Sequence, residues 1–481
     1  MCPPEDAAAP AKAVLGSVAS CAFASAACTG AFVDIAFEDG ARFRFHALWL
    51  RDACKDSVHV VKAAGERILT MIPVNNACVT DAFAATSAAV DAETGILTVC
   101  WNNSQVPSMF EGKYLRVFAD VVAMPLEDAA AASETPSDTT TSASASSAPP
   151  PPMVDFSDVS WLEPYTGFHE APAPRPAHLT YYGGDGVAGL APASSFPRFD
   201  HDAVLADPLQ KIALMHDLAR CGVCFVDGVP HNETDSTTLH AFVDDVLGGM
   251  QKDPCREERN WKIVHKVDAK SISYDPVKRL NNHTDQSVTP WGGIPGVVLI
   301  MHYQKGSGVN TLADGFAVCE KLRRDDPEAF RLLSTYGNDA ERDFSASRAD
   351  SPQVLGKSLM VEKRERIITL DRHGDVARVQ YNEVFRTALT LPFDVFPAWY
   401  AAYAKFTDML HSPEFEVEAE MKAGSMMIIQ NWRSLHGRAA ARASPDRTVI
   451  GGTVTREAFY SRARELYRKH HGFDIVRATK Y

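Results

Sequence analysis

Asn282-His283-Thr284-Asp285 and Trp432-Arg433-Ser434-Leu435-His436-Gly437-Arg438 are the two stretches on which the reading of this chain turns. In an extended segment alternate side chains leave on the same face, so His283 and Asp285 converge while Thr284 points away. His436, delivered by a later strand, completes a set of two imidazoles and one carboxylate. Such a facial set leaves adjacent coordination positions open and suits non-haem Fe(II). A lone His-x-Asp occurs by chance in many chains, where it is a surface histidine beside a solvated aspartate. The surrounding chain decides its weight.

Strand candidates cluster around these residues: Gly296 to His302, Arg366 to Leu370, Val376 to Tyr381 and Ser425 to Ile429. Asp202 to Ala219 has a helical pattern of apolar residues and leads into a strand from Cys221 to Val226, closed by a turn at Asp227-Gly228. Phe316 to Leu322 reads as a short helix, and Asp326-Pro327-Glu328 starts another with proline at its first position. Trp399, Tyr403, Phe406 and Leu410 fall at helical spacing, so this aromatic stripe is core packing rather than a cofactor box. The fold class that follows is mixed α/β and mainly β, a barrel of strands with helices packed outside, over residues 196–475.

Upstream, residues 30–125 read as a small β-rich N-terminal domain. Val33, Ile35 and Phe37 alternate with polar or small residues, Asp39-Gly40 signals a hairpin, and Phe43 and Phe45 resume the alternation. Leu48 to Asp52 is a compact apolar and charged block, and Ile96 to Trp101 a further strand. No acid, base or nucleophile set stands here, which suggests a recognition or dimerisation module. Residues 128–152, with runs of Ala, Ser and Thr and then Pro149 to Pro152, form a low-complexity linker without the apolar content to order itself.

Composition bounds the rest. The 481 residues, 46% hydrophobic and 23% charged, suffice for a large core and two domains. With 48 Lys and Arg against 61 Asp and Glu the net charge is −13, and no basic run stands out, which argues against nucleic acid as a partner. Apolar runs such as Val297 to Met301 fall far short of the about 20 residues that a membrane span needs. The ten cysteines are scattered; Cys221-Gly222-Val223-Cys224 has no second pair with which to build a four-sulfur site and reads as buried thiols in a reduced compartment. The start of the chain holds Glu5, Asp6 and Lys12 and makes a poor transit peptide, so the expectation is intracellular, with cytoplasm and mitochondrion both open.

With Ile294-Pro295-Gly296-Val297-Val298-Leu299, Asp314-Gly315-Phe316, Tyr381-Asn382, Asn431-Trp432-Arg433, Leu435-His436-Gly437-Arg438, Arg447 and Gly451 in this order, the chain resembles a known family. It is the TauD-like Fe(II)/2-oxoglutarate dioxygenase family of carnitine biosynthesis, which contains trimethyllysine and γ-butyrobetaine dioxygenases. The resemblance runs from about residue 200 onward, and Leu48 to Asp52 resembles the family's N-terminal domain. Tyr381 through the Trp399 helix, and Thr455-Arg456-Glu457, are more similar to the trimethyllysine enzymes. The implied fold is a double-stranded β-helix, or jelly roll.

The resemblance implies Fe(II) held by His283, Asp285 and His436, with 2-oxoglutarate as cosubstrate, O2, and ascorbate as reductant. The far carboxylate of 2-oxoglutarate needs a fixed cation, and Arg447 matches that position; Asn310 and Thr311 match its polar contacts. Arg438 and Arg442 lie close enough to His436 to compete for the carboxylate, and His302 is a second candidate imidazole. Asp314 orders a loop or approaches the metal. A quaternary ammonium substrate offers no hydrogen-bond donor, so aromatic faces and negative charge must recognise it. Trp261, Tyr274, Asn382 and Glu257 are the implied substrate-binding residues. Glu257, Thr453 and Gln286 depart from tyrosines of the butyrobetaine enzymes. The family's structural zinc needs three cysteines and a histidine; only Cys54 remains, with Ser104 in the histidine's neighbourhood, so no zinc is expected. The family also implies a homodimer.

The leading expectation is hydroxylation of trimethyllysine. The same chemistry on γ-butyrobetaine or a related zwitterion is the nearest alternative, and a non-catalytic scaffold that retains the fold is the alternative of another class.

Overall fold

The structure is a computed structural model, and it describes residues 21–55, 60–61, 66–67, 84–102, 104–126, 179–232, 235–252, 258–264, 275, 278–285, 298–343, 360–371, 373–440 and 442–471. The stretch 128–152, and Glu257, Tyr274 and Gln286, lie outside the described residues. The chain divides into two compact units, Met1–Cys54 with Thr80–Glu134, and Lys55–Val79 with Thr135–Tyr481.

In the first unit β1 (Phe23–Cys28), β2 (Phe32–Phe37) and β3 (Arg42–His46) form an antiparallel meander. Val33, Ile35 and Phe37 are buried at alternate positions, and Gly40 takes a positive φ of 88° in the turn between β2 and β3. The block Leu48 to Asp52 is part of a helix, α1 (Ala47–Ala53), which buries Trp49 and Leu50. β4 (Val60–Val61) and β5 (Glu66–Arg67) go with the second unit. Strands β6 (Ala85–Val90), β7 (Ile96–Trp101) and β8 (Ser104–Glu111) form a second sheet, followed by α2 (Gly112–Val122) and β9 (Met124–Pro125), which pairs with β3.

The expected continuous module over 30–125 is therefore interrupted. Among the described residues of Lys55–Val79, which goes with the second unit, Lys55 and Arg67 meet partners that no local pattern announces. Lys55 Nζ lies 2.7 Å from Glu341 Oε2, and the Arg67 N–H donates to the Val384 carbonyl at 2.8 Å.

The second unit opens with β10 (Arg198–Asp200), α3 (His201–Ala206), α4 (Pro208–Cys221), β11 (Val223–Asp227), α5 (Thr237–Val246) and β12 (Trp261–Val264). Where one helix was expected from Asp202 to Ala219 there are two. Pro208 has no N–H to continue a helix, and Asp207 caps the second one by accepting from the Leu209 N–H. Gly222, at φ 80°, then ends α4 and turns the chain into β11, leaving Cys221 and Cys224 as buried free thiols.

Next come β13 (Leu280–His283), β14 (Val298–Lys305), β15 (Ser307–Asp314), α6 (Gly315–Asp325) and α7 (Pro327–Thr335). β16 (Gly337–Asp343), β17 (Met360–Arg366), β18 (Ile368–Leu370), β19 (Val376–Val379) and α8 (Phe396–Leu410) follow. β20 (Glu416–Lys422), β21 (Met426–Gln430), β22 (Ser434–Arg438), β23 (Thr448–Val454) and α9 (Arg456–His471) complete the unit.

Two sheets dominate, one in the order β10-β11-β21-β14-β23-β12 and the other β13-β22-β15-β20. Leu299, Met301, Tyr303, Met427 and Val449 from the first share an apolar cluster with Leu312, Val417 and Met421 from the second. The sheets thus pack face to face as a jelly roll. On the outer face of the first sheet Val298, Ile300, Ile428 and Ile450 pack against Leu218 of α4, Phe242 of α5 and Phe459 of α9. β14 is consequently buried on both faces, which explains its apolar run from Val298 to Met301. No helix among the described residues is long and apolar enough to cross a membrane.

Candidate metal centre and anion pocket

β13 runs antiparallel to β22 with His283 directly opposite His436, so both imidazoles leave on one face. Their ring centroids are 4.4 Å apart. Asp285, two residues beyond His283, places Oδ1 at 3.4 Å from His283 Nε2 and 3.8 Å from His436 Nε2. Ligand atoms of the three residues lie within 4.8 Å of one another, the spacing a single ion would bridge.

Nε2 of each imidazole is turned toward Asp285. His283 Nδ1 is 2.8 Å from the Asn281 carbonyl, to which it donates, and Nε2 is the ring nitrogen that faces Asp285. Burial, and then the neighbouring His283, pull His436 down to about 3, with Asp285 opposing. A neutral His436 keeps a lone pair to offer a cation. Two imidazole nitrogens and a carboxylate on one side of a point fit a divalent first-row metal with positions left open.

Beyond His436 the same inner face carries Arg438, by the two-residue period of the strand, and Asn310 of β15 stands directly opposite it. Arg447, just before β23, reaches the same place: its Nη2 donates to Tyr303 Oη at 3.2 Å, and Asn310 Nδ2 donates to that oxygen at 3.0 Å. Arg447 and Arg438 are 6% and 3% exposed, and the proximity of two cations is felt. Burial first, and Arg447 second, bring Arg438 down to about 10 from 12.5. Arg447 Nε is buried with no hydrogen-bond partner among the described residues. Gly308 makes room for it, since a Cβ there would stand 3.2 Å from Arg447 Nε. Two buried guanidiniums, a phenol and a carboxamide gather in one place, a donor set that suits an anion; Arg438 Nη2 also donates to the Asp275 carbonyl at 2.5 Å.

The other expected residues distribute as follows. Thr311 is corrected: one residue from Asn310, it points out of the barrel, where its Oγ1 donates to Asn282 Oδ1 at 2.7 Å. Adjacent strand residues face opposite sides, so Asn310 and Thr311 cannot both line the pocket. Arg442 is exposed and paired with Glu418. His302 faces outward on β14, buried beside Gln304, and is no part of the three-ligand group. Asp314 pairs with Arg433 and caps α6 rather than approaching the ligands. Asn382 is buried near the ligand strand, with its Nδ2 at 3.5 Å from the Thr284 carbonyl. Trp261 faces the barrel interior from β12, opposite Gly451; a Cβ on Gly451 would meet the indole at 2.4 Å, so the ring lies on bare backbone. Tyr303 escaped the sequence reading, which held Arg438 only as one of three competing arginines; alternation along β14 and onward from His436 was the signal for both.

γ-Butyrobetaine dioxygenase of Homo sapiens is 31% identical over 215 residues, 44% of this chain and 52% of that protein, so the chain spans about half of that relative's length. Trimethyllysine dioxygenase of Meyerozyma guilliermondii is 22% identical over 443 residues, covering 90% of this chain and 93% of that protein. A solved structure, the non-heme iron oxygenase OrfP in complex with Fe, succinate and (3S)-hydroxy-L-Arg, aligns over 54% of this chain and 94% of that one at 14% identity and a TM-score of 0.37. Residues 187–453, which contain both sheets of the barrel and the three converging ligands, match the family described as taurine catabolism dioxygenase TauD, TfdA family, and the chain belongs to it.

Proposed function

We propose that the chain is an Fe(II)- and 2-oxoglutarate-dependent hydroxylase of a small quaternary ammonium amino acid, with trimethyllysine as its substrate. The observation that carries the chemistry is the convergence of His283, Asp285 and His436 on one face of β13 and β22, next to the buried Arg438 and Arg447. When bound, iron with 2-oxoglutarate and O2 supplies an oxidant whose formation is coupled to loss of CO2 and which hydroxylates a substrate C–H bond. His283, Asp285 and His436 hold the metal from one side and leave the other side free. Arg447 and Arg438 neutralise the far carboxylate of 2-oxoglutarate, while Tyr303 and Asn310 orient it by hydrogen bonds. Leu299, Met301 and Leu312 line the inner faces and keep water from the reacting atoms. Trp261 offers an aromatic face to a trimethylammonium group.

The choice of trimethyllysine is supported by the extent of the similarity to the trimethyllysine enzyme of Meyerozyma guilliermondii, 90% of this chain. γ-Butyrobetaine is the second reading, favoured by the higher identity, 31%, over a shorter span. Succinate formation followed by NMR separates them, with Fe(II), ascorbate, 2-oxoglutarate and a panel of trimethyllysine, γ-butyrobetaine and lysine. Stimulation by trimethyllysine alone is expected. Stimulation by γ-butyrobetaine alone selects the second reading. Slow succinate release without any stimulation leaves the iron chemistry standing and removes the substrate. No succinate from iron-loaded protein points to a scaffold that keeps the fold.

A further inference from the structure

Asp285 lies just beyond the end of the ladder that aligns the two histidines. β13 stops at His283 and β22 begins at Ser434, and the pairing between them ends with His283 opposite His436. The backbone of Asp285 is instead met by a side chain. Asn431, fully buried in the turn between β21 and β22, accepts the Asp285 N–H on Oδ1 at 2.9 Å and donates from Nδ2 to the Asp285 carbonyl at 3.0 Å. A primary carboxamide offers the same donor and acceptor as a peptide unit. Asn431 therefore engages Asp285 as a paired strand residue would, exchanging both hydrogen bonds.

The preceding residue is pinned from elsewhere: the Thr284 N–H donates to the Tyr381 carbonyl at 2.8 Å, and Thr284 Oγ1 accepts the Tyr381 N–H at 3.1 Å. Of the three ligand side chains, that of Asp285 is the most exposed, 30% against 11% for His283 and 8% for His436. Packing alone thus holds it least. The turn that carries Asn431 leads directly into β22, so one short segment sets the position of both His436 and Asp285.

We propose that Asn431 is a positioning residue of the metal centre, a substitute rung that holds the Asp285 carboxylate at the distance from the two imidazoles that a metal requires. The proposal rests on reading His283, Asp285 and His436 as metal ligands. A purely structural Asn431 would satisfy two buried backbone groups and nothing more; its loss would lower stability and leave metal affinity in the folded protein unchanged.

The test is a titration of the full chain with Co(II), followed by its visible ligand-field bands, for the parent, Asn431→Ala, Asn431→Leu and His436→Ala. Asn431→Leu keeps the volume and removes both hydrogen bonds, which guards against failure of the smaller side chain to fold. Loss of a group that orients a ligand typically weakens metal binding about 10- to 100-fold, and that weakening, with altered band positions, is expected of both Asn431 variants. Folded variants with parental affinity and spectrum overturn the positioning role while the metal reading survives. A parent that binds Co(II) no better than His436→Ala overturns the metal reading, and the proposal with it. Should neither variant fold, hydrogen exchange on the unaltered chain decides: the Asp285 amide is expected to be protected, and free exchange there overturns the clamp.

Discussion

Arg433 and Asp314 form an ion pair at 2.6 Å in which neither side chain has any exposure. Arg433 also donates to the carbonyls of Arg220 and Thr180, and Asp314 accepts from the amides of Tyr182, Phe316 and Ala317. The pair ties the strap before β10, the end of α4 and the start of α6 to the turn that leads into His436. Breaking a buried pair by removing one partner costs about 3–5 kcal/mol, because the other charge stays behind unpaired. Asp314→Ala is expected to lower the stability of the second unit by that amount, read from urea unfolding. Replacing both partners by apolar residues often restores stability elsewhere. Here it would leave two carbonyls and three amides without their partners, so Arg433→Met with Asp314→Leu is expected to be no better than either single variant. Recovery in the double variant would show that the pair matters only as charge.

Arg447 and Arg438 present the opposite case, two like charges held together at the position proposed for the far carboxylate of 2-oxoglutarate. Removing one should weaken the anion and relieve the protein at the same time. For Arg447→Met the loss of a buried charge partner, about 2–5 kcal/mol, predicts at least about 30-fold weaker 2-oxoglutarate binding. Without cosubstrate the variant is expected to be at least as stable as the parent, since Arg438 no longer faces a second cation. Thermal unfolding checks both halves: 2-oxoglutarate should raise the midpoint of the parent and leave that of the variant in place. A variant that 2-oxoglutarate still stabilises as strongly as the parent would move the carboxylate away from Arg447.

Asn310 and Thr311 give a paired test of the strand face. Asn310→Ala removes a donor to Tyr303 Oη and is expected to weaken 2-oxoglutarate binding with little change in stability. Thr311→Val removes the hydrogen bond to Asn282 on the other side of the sheet. Its expected effect is a stability loss of about 1–3 kcal/mol with cosubstrate affinity intact, since Asn282 Oδ1 then lies buried without that donor. Isothermal titration and urea unfolding of the two variants should give mirror-image results; a Thr311→Val protein impaired mainly in binding would contradict the assignment of faces.

These neighbours also show what the sequence could and could not disclose. His283 and Asp285 were legible as a convergent pair because two residues on one extended segment share a face whatever surrounds them. Arg438 was legible for the same reason, two residues beyond His436, yet it stood as one of three competing arginines until the pairing of β15 with β22 put Asn310 opposite it. Thr311 was misplaced because motif position was followed and strand alternation was not. The break at Asp207-Pro208 had a local signal, a proline behind a capping aspartate, inside an otherwise continuous apolar pattern. The transfer of Lys55–Val79 to the second unit had none, since Lys55 meets Glu341 and Arg67 meets Val384 across distances in sequence that no pattern spans. Asn431 belongs to this last class: its amide reaches Asp285 across 146 positions, and only the folded turn reveals the contact.

His302 provides a test in pH. It is fully buried on the outer face of β14, and burial first, then His201 and His231, bring it down to about 4 from 6.5. Burial likewise takes His411 to about 4, where its Nε2 accepts the Asn282 N–H at 3.1 Å. Between pH 6.5 and 4 the unfolded chain takes up a proton at each of these positions and the folded chain does not. The unfolded state then binds more protons, so stability falls as the pH is lowered through this window and is unaffected by these groups above it. Each histidine contributes a loss of about 1.5 kcal/mol on going from pH 6.5 to 5. His302→Leu has nothing to protonate and sits between apolar neighbours, Met426 and Ile450 on the flanking strands. Urea midpoints measured from pH 7 to 4.5 are expected to fall less steeply for His302→Leu than for the parent, by about that amount at pH 5, with the slope due to His411 remaining. Equal slopes for the two proteins would mean that His302 takes up its proton in the folded state, through an opening of the helical layer that covers it.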